Sequence, residues 1–373
     1  MERYQKAAIL KDLQKKMVLI AGPRQAGKTT LAKAVAQEFS SFIYLNYDHL
    51  EDRRMIKEEK WLPSTELIIL DEIHKMPKWK NYLKGLFDTK ASHQKILVTG
   101  SARLEIYSEV GDSLAGRYFL HHLFPLSPAE CEKMHFPYTL ERFLERGGFP
   151  EPFLVQDPIE AQRWRLQYVD SLLREDVLDF ENIQSLKTIR MLFELLRSRV
   201  GSPLSYTSLS EDLAVAPNTV KKYLQILEAL YIVFRITPFS KNIARSLLKE
   251  PKIYFFDTGL VQGDAGIKFE NLTAACLFKH LLFKVDYLAQ NYTLKYLQTK
   301  ERKKVDFALV CNSKIEQLVE VKKTDGTPSD SLYYFQQKYH LPAIQIVQDL
   351  KQEKIEKGIQ IRRGINFLKE LCL

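Results

Sequence analysis

Cysteine is scarce in this chain of 373 residues: Cys131, Cys276, Cys311 and Cys372 stand far apart and form no CxxC pair. That spacing excludes a zinc ribbon and a disulfide-stapled scaffold, and it suits a reducing compartment. Long apolar runs are missing as well. Nothing approaches the roughly 18 consecutive apolar residues that a bilayer-spanning helix needs. The opening stretch, MERYQKAAILKDLQKK, spreads its charges evenly and lacks the apolar centre of a signal peptide. The eight histidines, His74, His93, His121, His122 and His135 among them, show no metal-ligand spacing. The expectation is a cytoplasmic protein with no membrane partner.

What the chain does have is an ordinary apolar fraction, 45%, which excludes wholesale disorder. At roughly 150 residues per domain, its length suggests two or three domains. Lys and Arg number 55 against 46 Asp and Glu, a net charge of +9. A field of that sign draws polyanions, nucleic acid and acidic membranes alike, and it is also the sign of a plain basic surface.

Hydrophobic periodicity predicts an amphipathic helix over residues 1–16, through Tyr4, Ala8, Leu10 and Leu13. Short apolar runs at 17–22, 42–46, 66–70 and 94–99 read as buried strands, with helices at 28–39 and 79–88 between them. Strands alternating with helices argue an α/β layer structure with a parallel sheet. After residues 124–128 the pattern turns helical as far as about 199, broken at 146–152 by a glycine- and proline-rich turn. Residues 192–236 read as a small separate unit. A helix at 208–213 with Thr207 as cap, a turn at 214–217 and a helix at 218–231 are followed by a strand at 232–237. That is the order of a winged helix-turn-helix. Further on come a helix at 270–283 and strands at 295–298, 305–310 and 316–321.

The sharpest motif is Gly22-Pro23-Arg24-Gln25-Ala26-Gly27-Lys28-Thr29, followed by Thr30, which fits GxxxxGK[ST] in full. Glycines at this spacing let backbone N–H groups curl round phosphates, and the helix that follows offers them its positive end. Lys28 reaches the β- and γ-phosphates, and the Thr29 hydroxyl serves Mg²⁺. The loop follows an apolar strand and opens a helix, the context the motif requires. The matching acids are Asp71 and Glu72, at the C-terminal end of a buried strand and so beside the ligand crevice of a parallel sheet. Asp71 is expected in the magnesium shell and Glu72 behind the attacking water. Thr99 and Ser101, ending another apolar strand, are candidate γ-phosphate sensors. Arg117 is a candidate arginine finger acting on a neighbouring subunit.

With these motifs the chain resembles the AAA-type ATPases widespread in bacteria and archaea that carry an uncharacterised C-terminal domain. The resemblance rests on Gly22–Thr30, Leu70-Asp-Glu-Ile-His74, Thr99-Gly-Ser101, Ser113-Leu-Ala-Gly-Arg117 and Pro125-Leu-Ser127. It continues through Gly147-Gly-Phe-Pro150, Leu173-Arg-Glu-Asp176, Lys252-Ile-Tyr-Phe-Phe-Asp-Thr-Gly-Leu260, Val305-Asp-Phe307 and Glu320-Val-Lys322. It implies an AAA+ core over 1–128, a helical lid region over 129–191, a winged helix-turn-helix over 192–250 and a restriction-endonuclease-like α/β domain over 251–373. ATP and Mg²⁺ are the expected cofactors, and a homo-oligomer is the expected assembly.

In that last stretch Asp306 and Glu320-Val-Lys322 follow the D…(D/E)xK pattern on consecutive strands. Period-two alternation puts Glu320 and Lys322 on one face, and a hairpin brings Asp306 beside them. Two such carboxylates hold Mg²⁺, Glu270 is a plausible third acid, and the lysine orients a water for phosphodiester attack. Lys304 departs from the family pattern, which has an acid there; it would either lower metal affinity or contact phosphate. Lys221, Lys222 and Gln225 would reach DNA from the second helix of the winged unit. The function expected is a Mg²⁺-dependent ATPase coupling hydrolysis to DNA binding or remodelling. Its rival is an NTP-driven switch that binds a protein partner and has no nuclease activity.

Overall fold

The computed structural model describes residues 3–100, 114–176, 186–240, 250–299 and 303–371. The chain divides into two compact units, Met1–Phe124 and Pro125–Leu373. The first break thus falls four residues before the 128/129 boundary expected from sequence.

In the first unit, β1 (Met17–Ala21), β2 (Phe42–Asn46), β3 (Leu67–Asp71), β4 (Lys95–Thr99) and β5 (Tyr118–His122) make a parallel sheet in the order β2-β3-β4-β1-β5. Helices α1 (Lys6–Leu13), α2 (Lys28–Ala36), α3 (Leu50–Glu58) and α4 (Trp79–Thr89) accompany it. All five residues of β1 and of β3 are buried, which explains why these strands read as unbroken apolar runs. Their alternate side chains enter two different cores. Leu19, Ile68, Leu70, Ile96 and Val98 pack with Trp79, Leu83 and Leu86 of α4. Val18, Ile20, Ile69 and Leu97 pack with Ile9 and Leu13 of α1 and Leu31 and Val35 of α2. Each such side chain contributes about 1.5–3 kcal/mol by burial, and Ile69→Ala would cost about 2–5 kcal/mol. The four expected strands are present within one residue of their predicted ends, and the first helix is shorter than expected. β5 and α3 have no clear sequence signal, because His121 and His122 disguise one and dense charge the other.

In the second unit, helices at Pro128–Lys133, Leu140–Arg146, Pro150–Leu154, Pro158–Ser171 and Leu186–Arg197 precede the pair Tyr206–Asp212 and Pro217–Ala229. The first of that pair is capped by Ser205, whose side chain accepts from Ser208 N; Thr207, the expected cap, lies inside the helix. Then come β6 (Val233–Pro238) and β7 (Lys252–Phe255), the helix Ala265–Leu288, β8 (Tyr292–Gln298), β9 (Lys304–Cys311), β10 (Lys314–Lys322), the helix Asp330–Tyr339, β11 (Ala343–Val347), β12 (Lys354–Glu356) and β13 (Ile359–Arg363). The eight strands form one sheet in the order β12-β13-β11-β10-β9-β8-β6-β7. β6 pairs antiparallel with β7 and, through Thr237 and Pro238, parallel with β8. The 250/251 boundary expected from sequence therefore runs between two paired strands.

Two turns of the second unit meet on one carboxylate. Asp257 is buried and accepts from Gly148 N at 2.6 Å and Gly259 N at 3.1 Å. Gly147 has φ 77°, and a Cβ there would come within 2.2 Å of the Asp257 oxygens, so only glycine fits. Burial pushes the Asp257 carboxyl up to about 6, against the pull of the Gly148 N–H and of Arg165.

Candidate functional site

The loop between β1 and α2 is shaped by its glycines. Gly22 has φ 148°, and a Cβ there would lie 2.1 Å from the Leu123 carbonyl oxygen. Gly27 caps α2 from the left-handed region at φ 96°, and Gln25 holds φ 60°. Pro23 and Ala26 are buried, Arg24 is partly buried, and Gln25 and Thr30 are exposed. Lys28 is buried, and its ammonium donates to the carbonyls of Gly22 at 2.9 Å and Pro23 at 2.7 Å. From the N-terminal side, the buried Arg3 donates to Ala26 O at 3.0 Å and also to Phe124 O. Sequence reasoning missed Arg3, since no pattern marks it.

The end of β3 faces this loop. Asp71 Oδ2 accepts from Thr29 Oγ1 at 3.0 Å and from the Tyr44 hydroxyl at 2.5 Å. Asp71 Oδ1 accepts from Thr99 Oγ1 at 2.5 Å and from Glu72 N at 3.1 Å. Register explains the convergence: Asp71 pairs with Thr99 on β4 and with Asn46 on β2, and the Tyr44 ring spans the two residues back from Asn46. Burial and the Asp71 carboxylate hold the Tyr44 phenol well above its usual range. Tyr44 was legible as a strand residue and not as a site residue, because its face follows from tertiary pairing.

Glu72 leaves the strand with φ 55°, in the left-handed region. Its carboxylate lies 3.5 Å from Lys75 Nζ and 3.6 Å from His74 Nε2. Burial raises its pKa, while Lys75 and then Lys28 oppose the rise. Arg117 precedes β5 and pairs in a two-pronged way with Asp88 of α4, Nε to Oδ1 at 2.8 Å and Nη2 to Oδ2 at 3.0 Å. Ser101 lies outside the described residues.

In the second unit the four residues of the acid motif do come together. Asp306 Oδ2 accepts from Val321 N at 3.1 Å, and Asp306 N lies 3.4 Å from Glu320 Oε2. Lys322 Nζ is 3.0 Å from Glu320 Oε1. Two residues that sequence reasoning missed complete the cluster. Lys252 of β7, only 2% exposed, places Nζ 3.4 Å from Asp306 Oδ1 and 3.5 Å from Glu270 Oε1. The Tyr254 hydroxyl donates to Glu270 Oε1 at 2.7 Å. Alternation on β7 puts Lys252 and Tyr254 on one face. A lysine followed at period two by a tyrosine, inside an apolar run, was the available signal. Burial first, then Asp306, raise the pKa of both Glu270 and Glu320. Lys304, at the start of β9, is exposed.

On the helix Pro217–Ala229, Val220, Tyr223, Leu224 and Leu227 are buried, while Lys221, Lys222 and Gln225 lie on the exposed face. Lys221 Nζ sits over the Tyr206 ring, 5.5 Å from its centre. No helix among the described residues is long and apolar enough to cross a membrane.

Residues 14–132 match the family model described as the AAA domain. The N-terminal unit therefore carries a P-loop and is similar to AAA domains. Residues 138–270 match a second model, described as a domain of unknown function. An uncharacterised protein of Mycobacterium tuberculosis is 29% identical over 252 residues, 67% of this chain and 56% of its own length. The chain thus spans little more than half of that relative. An uncharacterised protein of Haemophilus influenzae is 24% identical over 324 residues, 78% of each chain. Among solved structures, the Walker-type ATPase of Pyrococcus abyssi aligns over 69% of this chain and 93% of its own, with 13% identity and a TM-score of 0.44.

The donor sets of the two sites differ in what they fit. In the N-terminal unit a hydroxyl, Thr29, and a carboxylate, Asp71, meet beside a loop built for phosphates, which suits Mg²⁺ shared with a nucleotide. In the second unit an ammonium stands between two of the three acids. Among the described residues no group of three or more His, Cys, Asp or Glu side chains could hold a metal ion. Glu270, Asp306 and Glu320, the three acids on which a metal was expected, thus share their cluster with the buried ammonium of Lys252.

Proposed function

We propose that this protein hydrolyses ATP and couples turnover to the binding of DNA. The observation that carries the first half is the Asp71 carboxylate, gathering the hydroxyls of Thr29 and Thr99 at the strand end beside the loop. The loop N–H groups and the start of α2 bind the phosphates. Lys28, now resting on two loop carbonyls, exchanges them for phosphate oxygens, a stronger, charge-assisted partner. Thr29 and Asp71 would hold Mg²⁺, which would supply charge neutralisation at the phosphates. Glu72 orients the attacking water and takes up its proton; burial favours that role by raising its proton affinity. Thr99, bonded to Asp71, senses the γ-phosphate. Arg117 acts on the site of a second copy once it leaves Asp88.

For the second half, the support is the net charge of +9 and the exposed trio Lys221, Lys222 and Gln225 on the second helix of a helix–turn–helix pair. We assign this pair and the β6–β7 hairpin as the winged unit, with Lys221 and Lys222 on phosphates and Gln225 toward base edges. The strands and helices that follow β7 serve as its platform, with Lys304 a further phosphate contact. The test is ATP turnover with and without duplex DNA at low salt. DNA should raise the rate, and Lys221→Ala with Lys222→Ala should lower DNA affinity and shrink the salt slope by about two. A rate unchanged by any DNA would shift the reading to a switch that acts on a protein partner.

A further inference from the structure

We infer that Lys252 is a built-in cation: it stands where a divalent metal would have to sit among Glu270, Asp306 and Glu320, and so makes this cluster a metal-free ionic joint instead of a nuclease centre. The argument starts from cost. An ammonium only 2% exposed is tolerable only where carboxylates pair with it, and Lys252 has one on each side, Asp306 at 3.4 Å and Glu270 at 3.5 Å. The face of Tyr296, 5.5 Å away, adds a further favourable contact for the charge. Tyr254 closes the same side by donating to the Glu270 oxygen nearest the lysine.

Charge counting points the same way. Three carboxylates face two ammoniums, Lys252 and Lys322, and a single retained proton makes the group neutral. A divalent ion entering this set would meet two positive charges within a few ångströms at low local dielectric, where repulsion is strong. Lys304 is exposed and acts on Glu270 only through its charge, as the last and smallest influence on that carboxyl. The joint has a structural use. Its members come from β7, the helix Ala265–Leu288, β9 and β10, so one ion network ties the β6–β7 hairpin to the middle of the sheet.

The test uses the full chain without nucleotide and reads Mn²⁺ binding by electron paramagnetic resonance, with Tb³⁺ luminescence sensitised by Tyr254 and Tyr296 beside it. Wild type and Asp306→Asn should bind the same number of ions, and neither should cut DNA in Mn²⁺. Lys252→Met should gain one ion per chain and lose it again when combined with Asp306→Asn. Ion binding or cleavage by the wild type that Asp306→Asn removes would overturn the inference. So would a folded Lys252→Met protein that gains no site. If Lys252→Met does not fold, the wild type against Asp306→Asn still decides, because equal binding supports the joint and lost binding refutes it. None of these readouts depends on ATP turnover, so the ATPase reading stands or falls separately.

Discussion

Tyr44 and Thr29 share one oxygen of Asp71, their hydroxyls donating to Oδ2 at 2.5 and 3.0 Å. One donor comes from the neighbouring strand and the other from the first turn of the helix behind the phosphate loop. The carboxylate is thereby fixed in rotation before any nucleotide arrives, which is the preorganisation that positioning catalysis relies on.

Removing that hydroxyl should show what the fixation contributes. A charge-assisted hydrogen bond is worth about 1.5–3 kcal/mol. Tyr44→Phe should therefore slow turnover about tenfold or more while leaving ATP affinity within a few-fold. Steady-state phosphate release and equilibrium binding of a fluorescent ATP analogue measure the two separately; an unchanged rate would mean the phenol plays no positioning role.

The loop lysine and the acid after Asp71 should separate binding from turnover. Lys28→Ala should abolish tight ATP binding, because the loop offers the phosphates no other buried ammonium. Glu72→Gln should bind ATP normally and stop hydrolysis, since the amide keeps the shape and cannot take a proton. Normal turnover by Glu72→Gln protein would remove Glu72 from the mechanism.

Assembly is tested through Arg117, which in the single chain is tied to Asp88. Arg117→Ala should lower turnover and leave ATP binding alone, whereas Asp88→Asn, which frees the guanidinium, should not lower it. Mixing Arg117→Ala with Glu72→Gln protein should restore part of the activity at interfaces that join two intact halves. A specific rate independent of protein concentration, with no recovery on mixing, would rule out action between subunits.

Acid should stabilise the junction around Asp257. Its folded pKa, about 6, lies above the ordinary aspartate value of 3.8, so the folded state binds the proton more readily. This group's contribution is fully present below about pH 4 and is lost as pH rises through 6. Asp257→Asn should flatten that part of the profile, measured by urea unfolding between pH 4 and 7. A profile identical to wild type would show that Asp257 does not titrate there.

The parallel sheet and the phosphate loop were legible in the sequence because their determinants are local. Apolar runs such as 67–70 sit between two cores, and GxxxxGKT needs only its own backbone to work. Asp306, Glu320 and Lys322 were also legible, since period two on adjacent strands fixes their faces. Lys252, Tyr254 and Tyr44 were not: each acts through a partner that only the folded sheet brings near. The pairing across the expected 250/251 boundary was hidden for the same reason. Composition changes there, but β6 and β7 pair across it.

That pairing sets how the second unit carries load. A boundary laced by a hydrogen-bond ladder cannot hinge, so the helix pair bearing Lys221 and Lys222 cannot swing on a tether while the rest of the unit stays still. Whatever pulls on that helix pulls on the sheet from β7 through β10. Cutting the chain after residue 250 would not release a free-standing reader; it would strip β6 of both strand neighbours and leave two raw edges, each inviting aggregation.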